Sequence, residues 1–116
     1  MATYSRELLS GTASGLPIPV AATATPGTLV HTATTTGTDN VFLYASNVTA
    51  IPAVLTIEWG GVTDPANLLC KALSIPANSV NVQIALGQPV KNGVVIRAFS
   101  GTANAINLTG YVNRIV

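Results

Sequence analysis

The feature that most constrains this chain is a period of two in its apolar residues, which dominates the sequence after residue 27. In residues 53–60, three apolar side chains fall on one face of an extended backbone and two polar side chains on the other. These are Leu55, Ile57 and Trp59, opposite Thr56 and Glu58. The alternation recurs in residues 80–86 and 106–112. Such a period is typical of half-buried strands, and helical periodicity is nearly absent, so the chain is predicted to be all-β.

Turn-forming residues separate the predicted strands at short intervals. They cluster in residues 36–40, 60–61, 76–78, 91–93 and 101–104. Asn92-Gly93 is the strongest signal for a tight hairpin. Two further strand candidates, residues 41–48 and 93–99, are apolar on both faces, which is typical of a central strand or an interface. About seven or eight short strands at this spacing predict a single antiparallel β-sandwich of jelly-roll or immunoglobulin-like kind.

Two segments have a less regular pattern. In residues 64–73, Asp64 is a fair cap for one short helical turn with Pro65 in its first position, but a bulged strand over residues 69–75 fits equally well. The first 27 residues follow no sustained period and are interrupted by glycine and proline, which favour extended or turn conformations. We therefore expect an extended N-terminal arm over residues 1–27 and a β-sandwich domain over residues 28–116.

The composition is poor in charge, with 48% hydrophobic but only 8% charged residues. Soluble domains average roughly 25% charged residues, so small neutral side chains must cover this surface, and little charge keeps neighbouring molecules apart. The five basic residues are scattered along the chain, which argues against direct contact with nucleic acid. No run approaches the roughly 18 apolar residues of a membrane span. We expect a soluble protein with protein partners and no membrane partner.

Export and disulfide formation are not expected either. The N-terminal residues have only a two-residue apolar run, Leu8-Leu9, which is too short for the core of a signal peptide. Cys70 is the only cysteine, so an internal disulfide is excluded and the chain suits a reducing cytoplasm.

The residue types that carry enzyme chemistry are scarce. His31 is the only histidine and lies in a threonine-rich strand candidate, with no acidic residue or cysteine at a metal-ligand spacing. Cys70 has no local signature of an activated nucleophile and is expected to be a small buried side chain. The four carboxylates have no local spacing for acid–base catalysis, although a calcium site completed by backbone oxygens remains open. We predict no catalytic residues, no metal and no cofactor; the protein is not expected to be an enzyme.

Several segments together resemble small structural proteins of tailed bacteriophages. They are the arm segments 17–19 and 22–27, residues 75–79 before a strand, residues 91–94, and the closing residues 108–115. The closest resemblance is to capsid decoration, or cement, proteins. It implies a β-sandwich head that clusters, often as trimers, over junctions between capsid subunits, and an arm that reaches onto a neighbour. The implied partners are the major capsid protein and copies of the chain itself, on the capsid surface of the virion, after synthesis in the host cytoplasm.

The predicted partner contacts lie in the arm. They are Tyr4, Arg6, Leu8 and Leu9, because an aromatic ring, an arginine and two leucines on a segment without a core of its own make good anchors. A disordered leader without function is the simpler interpretation of the same residues. Two other functions stay open: a tail or head–tail completion protein that forms rings through edge strands, and a carbohydrate- or receptor-binding module. The aromatic content of only 5% argues against the last.

Overall fold

The computed structural model describes residues 2–116, which form two antiparallel β-sheets packed as a sandwich. The prediction of an all-β sandwich is confirmed. The strands of this part of the chain are β1 (Tyr4–Leu8), β2 (Ile18–Pro19), β3 (Thr28–Thr32), β4 (Thr38–Asn47), β5 (Ala53–Trp59), β6 (Leu68–Ile75), β7 (Val82–Lys91), β8 (Val95–Ser100) and β9 (Ile106–Ile115). Residues 2–116 include no helix of the length and hydropathy needed to cross a membrane.

The strands pair in a nested order, from the ends of the chain towards its middle. Strand β1 pairs with β9, β3 with β8, β4 with β7, and β5 with β6. Strand β9 also pairs with β4, and β8 with β5, which closes two sheets of four long strands. Sheet I has the order β1-β9-β4-β7, with β2 beside β9, and sheet II has the order β3-β8-β5-β6. The nested pairs form one long hairpin that is folded over into two sheets. This topology is a jelly roll, one of the two predicted architectures.

The core lies between the sheets and is built by the predicted alternation. Along β4, every second side chain is buried and its neighbours are partly exposed, and in β9 Ile106, Leu108 and Val112 are buried on the same face. Ten inward apolar side chains of the four central strands are 0% exposed: Val41, Leu43, Ala45, Leu55, Ile57, Ile96, Ala98, Ile106, Leu108 and Val112. Burial of each large aliphatic side chain contributes about 1.5–3 kcal/mol relative to exposure. The alternation that predicted the fold therefore also supplies its core.

The extended N-terminal arm over residues 1–27 is not confirmed; Met1 lies outside the described residues. Strand β1 is the edge strand of sheet I, and Leu9, Ile18 and Val20 are buried in the core of the same domain. Between them, the amide of Gly11 donates a hydrogen bond to the carbonyl oxygen of Val30 in β3 at 2.9 Å. Residues 2–27 thus pack along both sheets, because Leu9, Ile18 and Val20 are buried on their own domain.

Residues 25–27 are fixed on the outside of sheet II by Glu58. This side chain lies on the polar face of β5, yet it is only 1% exposed. The amide of Gly27 donates to Glu58 Oε1 at 2.7 Å, and the hydroxyl of Thr25 donates to Oε2. On the same face, Thr56 is 4% exposed and its Oγ1 accepts from the amide of Ala72 at 2.9 Å. The polar face of this strand is therefore covered by protein and not by water.

The Asn92-Gly93 turn forms, but the predicted hairpin does not. Both residues have positive φ, 60° and 72°, and the amide of Val94 donates to the carbonyl oxygen of Lys91 at 3.3 Å. The turn connects β7 in sheet I to β8 in sheet II, so its flanking strands do not pair with each other. In residues 64–73, turn residues lead into the bulged strand β6, so the interpretation as a strand is confirmed.

Candidate interaction surface

The outer face of sheet I, which points away from the core, is the most distinctive surface of the protein. Directly paired residues of neighbouring strands point to the same side of a sheet, so the register places the outward side chains in rows. From β1 through β9 and β4 to β7, the rows are Tyr4, Ile115, Thr38 and Lys91; Arg6, Asn113, Asn40 and Pro89; Leu8, Tyr111, Phe42 and Leu86; and, without a member in β1, Thr109, Tyr44 and Gln83. The second is called the amide row below, and the third the aromatic row.

This outer face concentrates the aromatic residues of the chain. The sequence has three tyrosines, two phenylalanines and one tryptophan. All three tyrosines and Phe42 lie on the outer face. Trp59 is partly buried and packs against the core instead. A low overall aromatic content therefore hides a local enrichment in the residue types that dominate protein interfaces.

The centre of the face is a stack of side chains that runs across three strands. The rings of Phe42 and Tyr111 stack with their centroids 4.9 Å apart and an interplanar angle of 15°. The guanidinium carbon of Arg6 lies 4.7 Å from the centroid of the Tyr111 ring. On β7, a Cβ atom at Gly87 would come within 3.2 Å of the Phe42 ring, so the glycine leaves room for it. The stack fixes the orientation of three side chains that interfaces favour.

Two grooves flank the aromatic row. The first has a volume of about 600 Å³ and is lined by Tyr4, Ser5, Arg6, Asn40, Asn113, Arg114 and Ile115. The second has a volume of about 460 Å³ and is lined by Leu8, Gly15, Tyr44, Asn81, Gln83, Thr109, Gly110 and Tyr111. The outer face therefore has two depressions, both lined by aromatic and polar side chains, which side chains of a partner could enter.

Three of the four predicted partner contacts lie on this outer face. Tyr4 is 74% exposed, Leu8 is 51% exposed, and Arg6 is also exposed. Leu9 is only 1% exposed and belongs to the core, so its side chain is unavailable to a partner in this fold. Sequence reasoning missed the larger part of the face, which β4, β7 and β9 provide. One sequence feature did point to this face: residues 41–48 are apolar on both faces, which indicated either a central strand or an interface.

None of the four carboxylates of the chain lies on the outer face. Glu7 stands between the outward residues Arg6 and Leu8 of β1, so its side chain is on the opposite face of the strand. Asp39 points inward from β4 and is 0% exposed. Glu58 is buried in sheet II, and Asp64 forms a salt bridge with Lys71 at 2.7 Å outside sheet I. The charged side chains of the outer face are Arg6 and Lys91, so this face is positive.

A buried polar cluster joins the two sheets beneath one end of the outer face. His31 Nε2 lies 2.8 Å from Asp39 Oδ2, and Asp39 also accepts hydrogen bonds from Arg114 at 2.8 and 3.1 Å. His31 and Asp39 are both 0% exposed. The amide of Ser10 donates to His31 Nδ1 at 3.0 Å, so Nε2 must hold the ring proton and donate to Asp39. Both ring nitrogens are engaged, which leaves neither of them to activate a nucleophile.

Burial, hydrogen bonds and charge in this cluster shift the pKa values of Asp39 and Arg114. Burial alone raises the pKa of Asp39, but hydrogen bonds from Arg114, His31 and the amide of Thr34 outweigh it and hold the pKa below its ordinary value of 3.8. The hydrogen bond to Asp39 in turn raises the pKa of Arg114. Asp39 is therefore ionised and paired in the folded protein.

Ionised Asp39 is expected to stabilise the fold, and acid is expected to remove this contribution. Because the folded-state pKa is lower than the unfolded one, the stabilisation is complete above about pH 4 and is lost as the pH falls through the folded-state pKa. We expect a ¹³C NMR titration of the Asp39 carboxyl group to give a midpoint below 3.8. Urea unfolding should show that the free energy of unfolding decreases when the pH is lowered past about 4. A midpoint at or above 3.8 would contradict this account.

The remaining candidate groups are not brought together. His31 is in β3 and Cys70 in β6, and strands β8 and β5 lie between them in sheet II. Burial raises the pKa of the Cys70 thiol, which disfavours the reactive thiolate. Across residues 2–116, no three His, Cys, Asp or Glu side chains gather closely enough to hold a metal ion.

Comparison of the chain with protein families, with curated proteins and with solved structures finds no match.

Proposed function

We propose that this protein is a capsid decoration protein of a tailed bacteriophage, and that it binds the assembled shell through the outer face of sheet I. The observation that supports this most is the concentration of all three tyrosines, Phe42 and Arg6 on one solvent-facing sheet. These residue types are enriched in protein interfaces. The proposed contact is therefore a face of the sheet, of which β1 is one edge, and not an extended N-terminal arm.

A rigid face suits the proposed role. Its side chains are held by a sheet and by the Phe42–Tyr111 stack, so little conformational entropy is lost when a partner binds. A decoration protein is present in many copies on a symmetric lattice, so each contact need only be of moderate strength. We also propose contacts between copies of the chain, as in the trimers that the resemblance implies. Sedimentation velocity measures the oligomeric state directly.

The geometry disfavours the two other functions. Ring assembly of a tail protein needs an open edge strand, and β7 is one of the four edge strands of the two sheets. The pairing of β7 with β4 shifts register twice, and exposed Pro89 and Lys91 lie at the end of β7. Such features hinder pairing with a further strand. Sugar binding by stacking needs an open ring face, which Tyr111 lacks because it lies between Phe42 and Arg6, while Tyr4 is 74% exposed. The first point argues against ring assembly through β7, and the second against sugar stacking on Tyr111.

Co-sedimentation with undecorated shells of a tailed phage tests the proposal. We expect saturable binding of the full chain, and a loss of about tenfold or more in affinity for Leu86→Asp, because a carboxylate in the middle of an apolar contact is left unpaired. Leu86 is 57% exposed, so the substitution should not disturb the fold. The matched control is Ile51→Asp, which changes a 63% exposed aliphatic residue in the loop after β4 and should bind as the unaltered protein does.

Point variants are a sharper test than removal of the N-terminal segment. Deletion of residues 1–15 would remove β1 and the buried Leu9, so lost binding would report lost structure. Failure to bind shells, with rings or tubes formed by the free protein, would overturn the proposal in favour of a tail or head–tail completion protein. Binding to a glycan array instead would favour the carbohydrate-binding function.

A further inference from the structure

The charge of the outer face restricts the chemistry of its partner. Arg6 and Lys91 are its charged residues, and the four carboxylates of the chain all lie elsewhere. Two copies that met through their outer faces would bring four positive charges together without a counter-charge. Like charges opposed across an interface cost affinity, whereas complementary ones guide and select the partner. The charge therefore favours an acidic partner over a second copy of this chain.

The guanidinium of Arg6 is prepared to bind an anion. Its carbon lies 4.7 Å from the centroid of the Tyr111 ring, so the planar group is oriented by the aromatic surface beneath it. Arg6 is exposed, so the N–H donors of its guanidinium can be reached by a partner. An oriented guanidinium with accessible donors matches the two oxygens of a carboxylate.

Two amide side chains lie in the same row as Arg6 and add further N–H donors. Asn113 in β9 is paired with Arg6 in β1 and with Asn40 in β4, so the three side chains form a continuous row across three strands. Neighbouring strands are about 4.8 Å apart, so the row is about 10 Å long. All three residues line the groove of about 600 Å³. A carboxylate bound by Arg6 would therefore find further N–H donors beside it.

We infer that the partner presents carboxylate side chains, from Asp or Glu, to the amide row of the outer face. The inference rests on the proposed function and specifies the chemistry of the shell surface that this protein covers: an acidic segment that follows the groove, with its apolar neighbours on the aromatic row. Arg6 provides the anchoring cation, and Asn113 and Asn40 extend the contact towards β7.

The first test uses short peptides and needs no shell. An isotope-labelled sample is titrated with acetyl-Gly-Glu-Glu-Gly-amide, and separately with the peptide in which glutamine replaces both glutamates. We expect the glutamate peptide to shift the NMR signals of Arg6 Nε–H and of the Asn40 and Asn113 side-chain amides, and the glutamine peptide to leave them in place. Equal shifts with both peptides, or shifts confined to Lys91 and Arg97, would overturn the inference.

The second test uses shells and separates this inference from the proposed function. Arg6→Gln should weaken shell binding about tenfold, because a charge-assisted pair is lost, and the binding should weaken less steeply with added salt. The control is Lys71→Gln, which removes a cation that is 65% exposed in sheet II and should have no effect. If Arg6→Gln binds shells as tightly as the unaltered chain, the inference fails and the proposed function stands. If shells do not bind while the glutamate peptide still shifts Arg6, the proposed function fails alone.

Discussion

Replacement of Asp39 by asparagine is expected to lower the free energy of unfolding by about 3 kcal/mol, because it leaves buried donors without an acceptor. Every group that contacts the Asp39 carboxylate is a donor: two guanidinium nitrogens of Arg114, Nε2 of His31 and the amide of Thr34. An asparagine has a single oxygen. Whichever way its amide is turned, the NH₂ group faces donors: Nε of Arg114 on one side, or Nη2 of Arg114 together with His31 and Thr34 on the other.

Urea unfolding of Asp39→Asn measures this cost, and Asp64→Asn is the matched control. Asp64 pairs with Lys71 at 2.7 Å, but both side chains are more than half exposed. Exposed ion pairs contribute about 0–1 kcal/mol, so the same chemical change should cost several times less at this position. Equal losses at the two positions would show that the buried cluster does not stabilise the fold in the way its geometry indicates.

Replacement of Gly110 by alanine is expected to be the second severe change, with a loss of about 3 kcal/mol or more in the free energy of unfolding. A Cβ atom at this position would overlap the carbonyl oxygen of Phe42 and lie 3.0 Å from its carbonyl carbon. Both belong to the backbone of β4, so no side-chain rotation relieves the clash. Strands β9 and β4 would have to separate where the Phe42–Tyr111 stack forms.

Two measurements check the Gly110 prediction. Urea unfolding gives the loss of stability, and the ring signals of Phe42 and Tyr111 in NMR spectra report whether the stack is displaced. Gly60→Ala is the control, because a Cβ atom there meets only a side-chain carbon of Val94 at 3.5 Å, although its φ of 85° adds a cost of about 1 kcal/mol. Similar losses in the two variants would mean that the strands do not approach as closely as described.

The fold class was predictable from sequence because the alternation is a local property. Leu55 and Ile57 share a face of β5 whatever strand lies beside it. The partners of each strand are not a local property. Asn92-Gly93 has the same backbone conformation whether its strands pair or enter different sheets, so the sequence predicted the turn correctly and the pairing wrongly. The Gly- and Pro-rich first residues are similarly ambiguous, because burial of Ile18 and Val20 depends on a surface formed by distant residues.

The candidate site was predictable only in part, for the same reason. Tyr4, Arg6 and Leu8 are within five residues of one another, so the sequence brought them together. Phe42 and Tyr111 become neighbours only because β4 pairs with β9, which no local pattern specifies. The buried cluster was missed completely: 75 residues of chain separate Asp39 from Arg114, and the lone histidine gave no sign of its partner in the following strand.

The nested order of the strands has a consequence for synthesis in the cell. Strand β9 lies between β1 and β4 in sheet I, yet it is the last of these nine strands to leave the ribosome. Until then sheet I lacks an inner member, and the apolar side chains of β4 have no neighbour on one side. We expect the domain to close only after β9 has emerged. A chain interrupted before residue 106 would leave one edge of β4 unpaired and its apolar side chains exposed. We expect such a chain to aggregate or to be bound by chaperones and cleaved by proteases.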